Sequence, residues 1–122
     1  MNQTLKDRHM IKITDDDAIA MYNNLCLACE NREGGMTDAD QMIVADICHL
    51  EQTKQMLLLD IEKRGVGEER YNGRQKYYQE NKSVAQARSH MEQIRRHMDT
   101  LKLTVTGRKA AAANYDDEFE GY

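Results

Sequence analysis

The sequence has no proline, no tryptophan and a single phenylalanine. Leu, Ile, Val and Phe together number 21 of 122 residues, about 17%, below the level of well-packed globular domains. Such poverty reads as disorder when net charge is high, but here 17 basic residues nearly balance 21 acidic ones, for a net charge of −4. Eight methionines make up part of the shortfall. Few large apolar side chains bury a thin core, and thin cores need disulfides, a metal or oligomerisation. Three cysteines are too few and too oddly counted for a disulfide framework, which fits a reducing compartment. No apolar leader segment opens the chain, and the run Met56 to Leu59 is far too short to span a bilayer. The expectation is a soluble, helical, oligomeric protein of the cytoplasm with no membrane contact.

Signatures of catalysis are missing too. Neither G-x-x-x-x-G-K-[ST] nor G-x-G-x-x-G occurs, and no Ser or Cys sits in a nucleophile motif. His90 and His97 lie seven apart on one helical face and read as surface residues. No catalytic residue, no cofactor and no enzyme activity are expected. Cys26-x-x-Cys29 with Cys48-His49 superficially resembles a zinc set. Cys26 and Cys29, however, lie inside a helical period, and adjacent helical residues such as Cys48 and His49 point about 100° apart. All three read as thiols packed like small hydrophobes, with no metal.

Residues 1–13 carry Lys6, Arg8 and Lys12 without a sustained period and read as a loose basic arm. Thr14 before three aspartates predicts a capped helix start. That helix shows Ala18, Tyr22, Leu25 and Cys29 on one stripe and ends before Gly34-Gly35. Thr37 with Asp40 predicts the next cap. Ile43, Ile47, Leu50, Leu57 and Ile61 then follow a four-three spacing up to Gly65. Asn72-Gly73, flanked by Val66, Tyr71, Tyr77 and Tyr78, points to a small β-hairpin, with a polar loop as the alternative. Asn81 or Ser83 starts a further helix whose seam is Val84, Ala87, Met91, Ile94, Met98 and Leu101, the a/d alternation of a coiled-coil-like surface. The expected fold is all-α. Two long helices form an antiparallel hairpin, with a short N-terminal helix before them and room for the β-hairpin between them. A helical oligomerisation domain spans 14–109, with the seams of both long helices as its oligomer seam, and an acidic aromatic tail spans 110–122.

Charge is unevenly placed. Residues 15–64 hold eleven acids and four bases, whereas residues 88–109 hold six bases and two acids. Arg88, Arg95 and Lys102 recur every seven residues, with Arg96 adjacent and Arg108 and Lys109 beyond. Such a stripe contacts DNA phosphates or pairs with the acidic half across a subunit interface. Tyr115, Phe119 and Tyr122, set among Asp116, Asp117, Glu118 and Glu120, form either a frayed end or a docking peptide.

Asp40 at a helix start, a long apolar helix ending at Gly65, Asn81 before a basic helix, and the run Leu101-x-Leu103-Thr104-x-x-x-Arg108 together give an order of features that resembles the small subunits of phage terminases. Their closing motif reads approximately Leu-Gly-Leu-Thr-Pro-x-x-Arg; here Lys102 replaces the Gly and Val105 the Pro. Lys82 stands where Pro is usual after Asn81. The resemblance covers roughly residues 37 to 109. It implies a non-catalytic packaging adaptor that forms a ring, recognises double-stranded viral DNA and regulates the large terminase subunit in the bacterial host. The loose helix-turn-helix candidate around Gly34-Gly35 enters its second helix through Asp38 and Asp40, an unfavourable charge for a major groove. Lys6, Arg8, Lys12 and the Arg88 stripe are the better contacts. The rival expectation is a structural or regulatory helical-hairpin protein that binds only other proteins.

Overall fold

The computed structural model describes residues 1–104. Its elements are α1 (Gln3–His9), α2 (Asp16–Asn31), α3 (Asp38–Arg64), β1 (Gly67–Asn72), β2 (Gln75–Glu80) and α4 (Lys82–Thr100). Helix α3, at 27 residues, is the spine on which α1, α2 and α4 all pack. Among the described residues no helix is long and apolar enough to cross a membrane.

The all-α expectation is corrected by this architecture. Among the described residues there are four helices and a two-stranded antiparallel sheet, not two long helices with one short companion. The unforeseen helix is α1, inside the segment expected to be a loose arm. Its seven residues are too few to show an apolar period, so contacts distant in sequence hold it. The Asn2 backbone N–H donates to Gln41 Oε1 at 2.9 Å, and Gln41 Nε2 donates back to the Asn2 carbonyl at 2.9 Å. The expected companion helix, α2, is also weightier than foreseen: Ala18, Tyr22, Cys26 and Cys29 are all buried. Its stripe is built of small residues and one tyrosine, so hydropathy understates it.

Caps explain the boundaries. The N-cap of α2 is Asp15, one residue after the expected Thr14, and its carboxylate accepts from the Ala18 N–H at 3.2 Å. Thr14 and Asp15 both donate their N–H to Gln52 Oε1 at 2.9 Å. At α3, Thr37 and Asp40 form the full capping box. In the hairpin, Asn72 pairs with Gln75, so the two-residue turn is Gly73-Arg74, displaced by one from the expected Asn72-Gly73. Gly73 has φ +65°, which suits glycine at the first turn position.

Helices α3 and α4 run antiparallel, as their two ends show. Near the hairpin, Asp60 receives hydrogen bonds from Arg64, Ser83 Oγ (2.7 Å) and Asn81 Nδ2 (3.2 Å). At the far end Arg32 donates to the Leu101 carbonyl, to Asp40 and to the Gly35 carbonyl (3.3 Å). The Arg64 guanidinium first, then the Ser83 hydroxyl, hold the Asp60 carboxyl well below the usual carboxylate range. A depressed folded value means the unfolded chain takes up the proton first on acidification. This contribution to stability is therefore complete above the unfolded value of about 4 and is lost progressively below it. Thermal melts should show Asp60→Asn less stable than the parent at neutral pH, with the gap narrowing steadily below about pH 4.

The α4 C-terminus is a Schellman motif. The Leu103 N–H reaches the Met98 carbonyl at 3.1 Å and the Lys102 N–H reaches the Asp99 carbonyl at 3.0 Å. Lys102 takes the left-handed position at φ +61°, where Gly is usual. A β-carbon there costs about 1 kcal/mol. Lys102→Gly should accordingly raise stability by about 1 kcal/mol, less a few tenths for the freer unfolded chain. A melt unchanged or lowered would count against the strain.

The core lies where α2, the turn after α1 and the end of α4 meet the first half of α3: Ile13, Tyr22, Cys26, Cys29, Val44, Ile47, Cys48 and Leu101 are its main members. Beyond Cys48, α3 has no fully buried residue, because the 16 residues of α2 flank only the first half of the spine. Met56 and Leu59 are left exposed there.

Candidate nucleic-acid interface

The first basic group stands on α1 and the turns after it. The helix unwinds through bonds from Lys12 N–H to the His9 carbonyl (3.1 Å) and from Ile13 N–H to the same carbonyl (3.0 Å). This places Arg8 and Lys12, both exposed, on one cleft of about 430 Å³ against Ala45, Asp46 and His49 of α3. Ile13 and Ala45, both buried, give the cleft an apolar lining. Neither Arg8 nor Lys12 has an ion-pair partner among the described residues. Lys6 is half-buried on α1 and is not part of this lining.

His9 closes one side of the cleft, and its ring is tied inward. Its Nδ1 lies 2.8 Å from the Tyr22 hydroxyl, the rings meeting edge-on with centroids 5.7 Å apart. Gln41 Nε2 donates to that hydroxyl at 2.9 Å, leaving the phenolic proton free for His9 Nδ1. Burial pushes the His9 pKa below its ordinary value, against a smaller upward pull from Asp46. Burial thus favours the neutral imidazole of His9, and Arg8 and Lys12 are the cleft's permanent cations.

The second basic group lies on α4. Arg88, Arg95 and Arg96 are exposed, but Glu92 pairs with both Arg95 (2.7 Å) and Arg96 (3.4 Å). Arg88 alone of the three has no ion-pair partner among the described residues. Lys102 falls past the helix end, so the seven-residue recurrence stops at Arg95. Arg108 and Lys109 lie outside the described residues, as do Tyr115, Phe119 and Tyr122. A second cleft, of about 310 Å³, opens at the hairpin base beside Arg64, Arg70 and Lys82. There Arg64 is already paired with Asp60 and Arg70 with Glu68.

The residues expected to form an oligomer seam are covered to different degrees within the single chain. Ile47, Ala87 and Leu101 are buried, while Ile43, Leu50, Leu57, Ile61, Val84, Ile94 and Met98 are half-buried; Met91 alone of the set is exposed. Other apolar side chains face outward as well: Met1, Ile11, Leu27, Met42, Met56, Leu59 and Val66, together with the hairpin's Tyr71, Tyr77 and Tyr78. The three cysteines are free and buried. Burial raises all three thiols, Cys26 to about 11 and Cys48 to about 12, which favours the protonated form over the nucleophilic thiolate. Among the described residues no group of three or more His, Cys, Asp or Glu is placed to hold a metal ion.

Sequence reasoning missed Gln41, Arg32 and the pairing of His9 with Tyr22. A polar residue in register with an apolar face, as Gln41 is three, four and seven residues before Val44, Ala45 and Cys48, was the available signal for the first. Nothing local announces the His9–Tyr22 pairing, 13 residues apart, or the link from Arg32 to the Leu101 carbonyl, 69 residues apart.

Compared with known families, the chain matches over residues 18–118 the one described as phage terminase, small subunit. No curated protein and no solved structure matches it.

Proposed function

The chain belongs to the phage terminase small-subunit family, and from that premise we propose that it is a non-catalytic adaptor of genome packaging that grips duplex DNA through Arg8 and Lys12. The observation that carries the DNA assignment is the placing of these two cations, neither in an ion pair among the described residues, on one open cleft where they outnumber Asp46. The α4 stripe is a weaker candidate, because Glu92 offsets part of its charge. Its proposed partners are further copies of itself, the large terminase subunit and viral DNA, within the bacterial cytoplasm. Outward-facing Leu27, Met42, Met56, Leu59 and Met91 support self-association: they are the apolar area a closed head-to-tail ring covers.

Binding to duplex DNA should be weak and should fall steeply with salt. Each phosphate contact contributes about 0.9 to the log–log slope, so Arg8→Ala with Lys12→Ala should reduce the slope by about 2. Reversing Arg95 and Arg96 to Glu should leave most of the slope in place. No DNA binding by the parent chain, or a slope unmoved by the cleft variant, overturns the assignment. The protein-only reading draws on the Glu92 pairing. It is favoured if the Arg95 and Arg96 reversals change the mass in solution while DNA is ignored throughout.

A further inference from the structure

We propose that the chain's own acidic segment, residues 115–122, seats Phe119 in the cleft between the α1–α2 turn and α3, competing with DNA for Arg8 and Lys12. The consequence for DNA rests on the reading above; the occupancy of the cleft does not. The cleft combines two features that select one ligand chemistry. Buried Ile13 and Ala45 line it with apolar surface, while Arg8 and Lys12 stand exposed at its edge without ion-pair partners among the described residues. At about 430 Å³ it lies in the usual range of ligand pockets, roughly 300–1,000 Å³. An aromatic side chain flanked by carboxylates satisfies both features at once. A phosphate backbone satisfies only the second.

The chain carries such a ligand. Phe119 is its only phenylalanine and stands between Glu118 and Glu120, with Asp116 and Asp117 just before. Asp46 is the one acid on the cleft lining among the described residues, and it is outnumbered by Arg8 and Lys12. Reach is sufficient. Arg32 holds the Leu101 carbonyl and Asp40 together, so α4 ends beside the start of α3. From Asp40 to His49 the helix rises about 14 Å, and a helix is about 10 Å across. The fourteen residues between Thr104 and Phe119 extend to about 45 Å. A tethered segment has a local concentration on the order of 1 mM, so a peptide with a Kd on the order of 100 μM masks its site about tenfold.

Two measurements decide it, both on the full chain. First, a labelled peptide of residues 110–122 is titrated by fluorescence polarisation onto the Phe119→Ala chain, whose own segment no longer carries the anchor. Saturable binding is expected, weakened about tenfold or more by Arg8→Ala with Lys12→Ala, and lost when the peptide itself carries Phe119→Ala. No binding, or binding indifferent to those residues, overturns the proposal whatever DNA does. Second, DNA affinity is compared between the parent and Phe119→Ala chains. Phe119→Ala leaves every charge in place, so tighter DNA binding, by about tenfold at low salt, reflects unmasking and not reduced repulsion. Equal affinity in the two chains overturns the competition. Should neither chain bind DNA, the adaptor's DNA reading falls and the peptide titration alone settles the occupancy.

Discussion

Tyr22→Ala is expected to lower stability by about 4 kcal/mol, within the range for removing a buried aromatic side chain. Tyr22 is fully buried and is the largest side chain in that state. Single domains carry only about 5–15 kcal/mol in total, and a core this thin belongs near the lower end, so a large unfolded fraction should appear at room temperature. Tyr22→Phe separates packing from polarity. It keeps the ring but removes the hydroxyl that joins Gln41 Nε2 to His9 Nδ1. Gln41 retains the Asn2 carbonyl as acceptor, so the loss should be about 1 kcal/mol. Its signature should be local, with faster hydrogen exchange confined to α1. Denaturant titration of the two variants checks the ranking. A Phe variant as damaged as the Ala variant shows that the polar hub, and not the ring, dominates.

Arg32→Ala is the second change with a large expected effect. One guanidinium serves three segments: the Gly35 carbonyl in the loop, Asp40 in the first turn of α3 and the Leu101 carbonyl at the end of α4. Its truncation leaves Asp40 without its cation and an orphaned carbonyl at the α4 terminus, beside the buried Leu101 side chain. Charge-assisted hydrogen bonds contribute about 1.5–3 kcal/mol when desolvated. Both side chains of the Arg32–Asp40 pair are about one-fifth exposed, which puts the expected loss near 2 kcal/mol. Arg32→Lys should recover less than half, because a single ammonium cannot match the planar fork that meets separate acceptors. Equal stability of the Lys variant and the parent would falsify the bridging role.

How far the sequence reached can be judged residue by residue. The boundaries of α3 were legible, since Thr37, Asp40 and Gly65 act through bonds to neighbours within four residues. For α4 the sequence left Asn81 or Ser83 as the start; the structure makes Asn81 the cap and adds its cross-links to Asp60 and the Gly65 carbonyl. The charge of Arg8 and Lys12 was visible too, but not their arrangement around a cleft. The seam on α4 was visible as an apolar stripe, yet its partner surface could not be assigned. A stripe that packs on its own chain and one that packs on a neighbour have the same period.

What the sequence by itself determined was therefore local: helix starts and stops, the hairpin turn to within one residue, the thin core and the uneven charge. These follow from caps, periodicity and composition, which act over a turn or two of chain. Tertiary structure alone decided that α1 forms, that α2 supplies much of the core, and that α2 runs out halfway along α3 and leaves Met56 and Leu59 uncovered. It also decided that Arg8, Lys12 and His49 share a surface. Each of these depends on contacts between residues tens of positions apart. Such contacts are fixed by which faces pack and by which buried polar groups, such as Gln41 and Tyr22, find one another.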